Sequence, residues 1–369
     1  MSLYIHFPWC VRKCPYCDFN SHQAGTELPE DAYIDALLAD LAQEAPWLQG
    51  RRIETLFMGG GTPSLISGRG IGRLLDDLRR RDWLADDAEI TLEANPGTVE
   101  RQYFADYVSA GVNRISLGVQ SFNEDALTRL GRIHGRDDVL RAWELLQQLD
   151  LKRLNIDLMH GLPDQTPEQA WSDLDQALAL DPGHLSWYQL TLEPNTVFYR
   201  QPPRLPDEDR LEAIETAGRQ RLQEAGYDQY EISAWSRPGH ASRHNTNYWT
   251  FGDYIGIGAG AHGKLTGPDG IVRTTRTRMP DDYLKAVNGG RKTQPVDTDD
   301  LPFEYMLNVL RLKDGAPEEL FTQRTGLPTD TLEPQSQQLR GKGLMHPDRH
   351  ALSEQGWWFY NDAVAAWVD

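Results

Sequence analysis

The 369-residue sequence predicts an α/β protein organised around a parallel sheet, and three observations carry that prediction. Short runs of β-like composition recur, each followed by a stretch with the apolar spacing of an amphipathic helix. Polar and glycine-rich motifs stand at the carboxyl ends of those runs. From about residue 201 the alternation stops and the composition changes.

The β-like runs cover residues 3–7, 52–58, 89–94, 114–119, 153–158 and 185–190. Helical patterns lie between them at 31–41, 71–80, 102–109, 137–149 and 167–180, often with Pro or Asp near the start, as helix entry prefers. This alternation argues for βα units, and six units are fewer than the eight of a closed TIM barrel. After the first run comes a cysteine loop, and after the second Gly59-Gly60-Gly61-Thr62-Pro63. The third ends in Glu93-Ala94-Asn95-Pro96 and the fourth in Gly118-Val119-Gln120-Ser121. The fifth carries Asn155-Ile156-Asp157 and the sixth runs into Thr191-Leu192-Glu193-Pro194. In parallel α/β barrels the functional face is the carboxyl end of the strands, so these segments are expected to meet at one pocket.

Residues 1–200 are therefore read as the βα unit, 201–290 as an extension and 291–369 as a small C-terminal module. Within the extension, 205–225 predicts an amphipathic helix, 227–235 a strand, and 243–263 a β-rich surface. Residues 289–300 read as a linker. The module offers short helical segments and a closing aromatic strand at 356–360.

Lys and Arg total 37 against 55 Asp and Glu, a net charge of −18. A nucleic-acid surface would carry a basic stripe, so nucleic acid is not expected as the main partner. No apolar run approaches the ~18 residues of a membrane-spanning helix, and the first residues carry no signal-peptide pattern. The chain has three cysteines, which excludes a fully paired intramolecular disulfide framework and fits a reducing, cytosolic setting.

Those three, Cys10, Cys14 and Cys17, sit together as C-x3-C-x2-C. Thiolates at short spacing suit an iron–sulfur cluster or zinc. Three sulfurs hold three irons of a cubane [4Fe–4S] cluster and leave the fourth open. The alternative is a Cys3His zinc site completed by His6 or His22, although zinc modules usually split their ligands into two pairs.

The string Y-x-H-x-P-x-C-x3-C-x2-C from Tyr4 to Cys17, with G-G-G-T-P at 59–63, resembles the radical S-adenosylmethionine (SAM) superfamily. It is similar in particular to the branch holding oxygen-independent coproporphyrinogen III oxidase and the HemW-type haem chaperones. The resemblance implies a partial (βα)6 TIM-like barrel, an α+β extension and a winged-helix-like C-terminal module. It also implies a [4Fe–4S] cluster whose open iron chelates the amino and carboxylate groups of SAM, and from which an electron cleaves SAM to a 5′-deoxyadenosyl radical. The specific motifs reach from Leu3 to about His262.

Carried over by the resemblance, Cys10, Cys14 and Cys17 are cluster ligands, and Tyr4 and Tyr16 lie beside SAM. Gly60, Gly61 and Thr62 form its methionine pocket; a phosphate cradle is the competing idea, but the Lys and Ser/Thr of a P-loop are absent. Glu93, Gln120, Arg132 and Asp157 match further SAM-contacting positions, and a guanidinium such as Arg132 clamps a carboxylate bidentately. Thr191 is a looser match. For these polar residues the competing role is a strand-end hydrogen bond or an ion pair.

Two departures separate the chain from the oxidases. They carry a further cysteine two residues after the third ligand, where this chain has Phe19. They also carry a long extension before the cluster, whereas here the first ligand is residue 10. Both fit the HemW branch, as does His244-Asn245-Thr246-Asn247-Tyr248-Trp249, the H-N-x-x-Y-W motif that the resemblance associates with haem. Imidazole is a common haem ligand. The competing role for His244 is a structural turn, and His262 is a candidate second ligand.

The expectation is a HemW-type protein that binds haem, a [4Fe–4S] cluster and SAM and delivers haem to haem-requiring proteins, including respiratory enzymes reached at the membrane surface. The alternatives are coproporphyrinogen III oxidation and radical chemistry on an unrelated substrate.

Overall fold

The computed structural model describes residues 1–98 and 101–368. Six parallel strands lie side by side in chain order: β1 (Ser2–Phe7), β2 (Ile53–Gly60), β3 (Leu84–Ala94), β4 (Arg114–Gln120), β5 (Arg153–His160) and β6 (Gly183–Gln189). Each coincides with one of the predicted β-like runs. β1 is buried at five of its six positions, and such two-sided burial is why these strands read as near-continuous apolar runs.

Helices α1 (Glu30–Leu48), α2 (Gly68–Arg80), α3 (Arg101–Ala110), α4 (Glu124–Arg129), α5 (Arg136–Gln147) and α6 (Pro167–Leu180) return the chain between strands. The start of α6 is written in the sequence. Thr166 accepts from the Gln169 amide, the Gln169 side chain reaches back, and Pro167 occupies the first turn.

The sheet continues past both edges of the parallel core to twelve strands among the described residues. Beyond β6, after helices α7 (Val197–Arg200) and α8 (Glu208–Glu224), come two antiparallel strands, β7 (Asp228–Glu231) and β8 (Ala234–Ser236). The single strand expected over 227–235 is thus broken by a turn. On the other side β9 (Tyr254–Ile257) joins β1 in parallel, followed by antiparallel β10 (His262–Gly267), β11 (Gly270–Thr275) and β12 (Lys292–Pro295).

Three local expectations are corrected. The 243–263 region opens not as a strand but as helix α9 (Arg243–Trp249), because Ser242 caps it by accepting from the Asn245 amide. The 289–300 stretch contains edge strand β12, all of whose residues are exposed, so no apolar alternation marked it. The aromatic 356–360 segment is helical, within Glu354–Trp358 and Tyr360–Ala365, with Ser353 capping the first. Of its aromatics, Trp357 and Tyr360 pack on a second hydrophobic cluster, which gathers Phe251, Leu301, Tyr305, Met306, Phe321 and Leu332 apart from the main core, while Trp358 and Phe359 are exposed.

A buried ion network ties the extension to the barrel. Arg276, wholly buried, donates from Nε to both Asp40 oxygens at 2.8 and 2.9 Å and from Nη2 to Glu44 at 2.6 Å. Tyr283 donates to Asp40 at 2.9 Å, and Arg291 donates to Glu44 at 2.5 Å.

Candidate functional site

The cysteine loop springs from the carboxyl end of β1. Its base is closed by His22 N–H donating to Pro8 O at 2.7 Å and Ala24 N–H to Cys10 O at 2.8 Å. Lys13 Nζ spans the tip to the carbonyls of Phe19 and Ser21, 3.2 Å each. The end of β2 is locked beside it: Gly61 N–H donates to Phe7 O and Thr62 N–H to Trp9 O, both at 2.7 Å. A Cβ at Gly61 would lie 2.5 Å from Trp9 O, and Gly60 holds φ +112° with the His6 ring against it. The triple glycine therefore lets two strand ends meet backbone to backbone.

A cavity of about 300 Å³ opens where these ends converge. All three cysteines line it, with Gly60 from the end of β2, Gly61 and Thr62 from the turn after it, Glu93 from β3, Gln120 from β4, Asp157 from β5, and Tyr16 and Arg132 from connecting loops. Segments far apart in sequence thus meet at one pocket, as the strand-end motifs predict.

Gln120 takes φ +70° at a register shift in β4, and Tyr188 donates to its Oε1 at 2.7 Å. Asp157 accepts from Ser116 Oγ at 2.9 Å and Asn155 Nδ2 at 2.8 Å. Glu93 accepts from the Gly60 amide at 3.3 Å. Burial, then the charge of Asp157, pushes the Glu93 carboxyl up to about 8. Burial likewise raises Asp157, against its hydrogen bonds. Two half-buried carboxyls in one cavity suit a ligand bringing an ammonium group or hydroxyls. Arg132 donates from Nη2 to Gly118 O at 2.7 Å and lies 3.8 Å from Cys14 Sγ through Nη1. Its buried Nε has no partner among the described residues, so the guanidinium retains capacity for an acidic group. Burial raises the thiols of Cys10 and Cys17 and the phenol of Tyr16.

Tyr4 lies elsewhere. It hydrogen-bonds His6 Nδ1 at 2.9 Å and lines a second, larger cavity of about 960 Å³. His6 Nε2 donates to the Asn20 carbonyl at 2.9 Å, so both of its ring nitrogens are engaged away from the thiols. His22 Nε2 bonds Asn20 Oδ1 at 3.2 Å. Neither histidine lines the cavity of the three sulfurs, which disfavours the Cys3His zinc alternative. Thr191 donates to Glu193 at 2.8 Å and lines neither cavity.

The H-N-x-x-Y-W motif divides. Tyr248 and Trp249 line the larger cavity, whereas His244 is buried behind them. Its Nδ1 pairs with Thr55 Oγ1 at 2.9 Å, its Nε2 with Tyr248 OH at 3.1 Å, and its ring stacks on Phe57 at 5.1 Å. Burial pushes its pKa down to about 3. Phe19, 58 % exposed, stands on the wall common to both cavities. Ser116 and Tyr188 also line the smaller cavity and carried no motif; their one signal is a place on parallel strands whose ends hold other site residues.

A parallel βα sheet whose carboxyl ends close on a three-cysteine loop and a glycine-lined cavity defines a radical SAM protein. The Radical SAM superfamily profile matches residues 4–177, and that of the HemN C-terminal domain matches 296–359. Heme chaperone HemW of Escherichia coli (strain K12) is 53% identical over 370 residues, covering 99% of this chain and 97% of its own. Heme chaperone HemW of Bacillus subtilis (strain 168) is 34% identical, covering 100% and 99%. The mouse protein called radical S-adenosyl methionine domain-containing protein 1, mitochondrial, is 37% identical, covering 87% of this chain and 75% of its own. The chain belongs to the HemW family. Among solved structures, coproporphyrinogen III oxidase (HemN) from Escherichia coli superposes with a TM-score of 0.83 at 23% identity, over 99% of this chain and 89% of that one. At that identity the likeness shows the fold.

Proposed function

We propose that this protein is a haem chaperone that holds a [4Fe–4S] cluster and SAM in the smaller cavity, holds haem in the larger, and passes haem to haem-requiring proteins. The observation that carries the reading is the second cavity, about 960 Å³, sharing a wall with the thiol-lined one. That volume lies at the large end of small-molecule sites, and aromatic walls with a few convergent polar groups suit a flat, largely apolar ligand. Full-length similarity to relatives named heme chaperones supports the same reading.

In this reading Cys10, Cys14 and Cys17 supply the thiolates, and the cluster supplies an open iron and a low-potential electron. The orphaned guanidinium edge of Arg132 and the raised carboxyls of Glu93 and Asp157 fit the charged and hydroxyl groups of SAM. Tyr16 and Gln120 narrow the cavity, Gln120 held in place by Tyr188. The recipients would be haem-requiring respiratory proteins met at the membrane surface from the cytoplasmic side. No helix among the described residues is long and apolar enough to cross a membrane.

The shared fold with the oxidase favours a second reading, coproporphyrinogen III decarboxylation. Against it, Phe19 occupies the wall between the cavities, where the oxidase pattern has a thiol. Anaerobic incubation of the reconstituted protein with coproporphyrinogen III, SAM and a reductant separates the two. The chaperone reading predicts no protoporphyrinogen from a sample that binds haem saturably; sustained protoporphyrinogen formation would overturn it.

A further inference from the structure

The larger cavity carries an assignment that deepens the haem reading and rests on it. One row of residues runs across five strands beneath it, and four of the five line it. Tyr4 of β1 pairs with Gly256 of β9, His262 of β10 pairs with Thr275 of β11, and Thr275 pairs with Lys292 of β12. Gly256 and His262 adjoin, since a Cβ on Gly256 would lie 1.8 Å from His262 O. His262 is therefore flanked by Gly256 and Thr275, the two smallest residues of the row. Neither rises far enough to fill the space beside the imidazole.

The imidazole itself is free. His262 is exposed, lines the cavity, and makes no side-chain hydrogen bond among the described residues. His244 offers the reverse. It does not line the cavity, and the nitrogen nearer to it, Nε2, is held by Tyr248, so coordination would require breaking that bond and displacing Tyr248 from the cavity wall.

The charge of the cavity is also distinctive. In a chain of net charge −18 its lining holds five cations and one carboxylate, Asp18. Lys264, Arg273 and Arg276 are committed to Asp253, Glu304 and Asp40 respectively. Arg278 and Lys292 are exposed and have no carboxylate partner among the described residues. Lys292 stands two strands from His262, roughly 10 Å at the usual strand spacing.

We infer that His262, not His244, is the axial ligand this chain gives to haem iron, that Arg278 and Lys292 receive the haem carboxylates, and that His244 is a positioning residue. His244 holds Tyr248 through their 3.1 Å hydrogen bond, and Tyr248 packs edge-on against Tyr254 at 4.5 Å, so the two form one wall of the cavity. The imidazole donates an electron pair to iron, and no covalent bond is made or broken in the ligand.

The test is titration with ferric haem of the reconstituted wild type, His262→Ala, His244→Phe and the double variant Arg278→Glu/Lys292→Glu. The readouts are Soret position, low-spin signal and affinity. His262→Ala should lose the wild-type Soret position and at least about tenfold in affinity, and added imidazole should restore the band. His244→Phe, which fills the buried space, should keep the wild-type Soret position. The double charge variant should bind ferric haem about tenfold more weakly, yet match the wild type for haem with esterified carboxylates. A wild type that saturates, with His262→Ala unchanged in spectrum and affinity, overturns this assignment alone. A wild type that fails to bind haem saturably overturns the chaperone reading with it.

Discussion

Replacing Arg276 with Met removes the one cation that faces both Asp40 and Glu44 in the wholly buried network between α1 and the 276–291 segment. Met fills much of the volume, so the change is chiefly electrostatic. Three hydrogen bonds to carboxylate oxygens are lost. Glu44 keeps Arg291, but Asp40 keeps only Tyr283 and the Gly258 amide. Removing one partner from a buried pair typically costs about 3–5 kcal/mol, a large part of a total stability of roughly 5–15 kcal/mol. Burial already raises Asp40 with Arg276 present, and without that guanidinium its pKa must rise further. A raised carboxyl destabilises the fold above its unfolded pKa and is relieved on protonation, so the deficit should shrink as pH falls from neutrality towards 5. Equilibrium urea unfolding of wild type and Arg276→Met at both pH values measures this. Arg276→Met/Asp40→Leu should recover much of the loss, because removing both partners leaves no unpaired charge at Asp40. A deficit below about 1 kcal/mol, or one no smaller at pH 5, would refute the reasoning.

Other parts of the molecule yield further expectations. Gly61→Ala drives a Cβ into the Trp9 backbone at 2.5 Å, so it should cost on the order of 1–3 kcal/mol and lower the iron bound per chain after reconstitution, read by unfolding and iron assay. His160 and His244 are held near 3 and His134 near 4 by burial, so the unfolded chain binds more protons below its own histidine pKa. The contribution of each such histidine to stability should therefore be full above about pH 6.5 and fall below it by up to ~1.4 kcal/mol per pH unit, as the difference in urea midpoint between wild type and His160→Phe at stepped pH will show. Glu93→Gln should stabilise the ligand-free chain increasingly as pH rises from about 4.5 to about 8, while weakening SAM binding measured by calorimetry.

The barrel was legible because its six strands are buried on both faces, leaving apolar runs separated by helical spacing. The thiol cavity was legible because its residues stand at strand ends, where a parallel fold must gather them. What escaped the sequence depended on distant partners. Asp40 reads as a polar position of a helix, yet it bonds Arg276, 236 residues away. Tyr248 and Trp249 look like strand aromatics until Ser242 caps a helix, and that helix turns His244 inward rather than into the cavity. Tyr4 alternates correctly along β1, but the cavity it faces is set by β9 to β12, beyond its local sequence. Tyr188 carries no motif because its role is to hold Gln120 from a neighbouring strand.

The central claim, that this chain carries haem for other proteins, is tested most directly by transfer. Haem-loaded protein is mixed with a haem-depleted respiratory enzyme in the presence of an excess of apomyoglobin, which captures free haem. The account predicts that the enzyme gains its own haem spectrum and activity from the loaded chain, and gains neither from the same amount of free haem. An enzyme that stays haem-free while the apomyoglobin fills would contradict it.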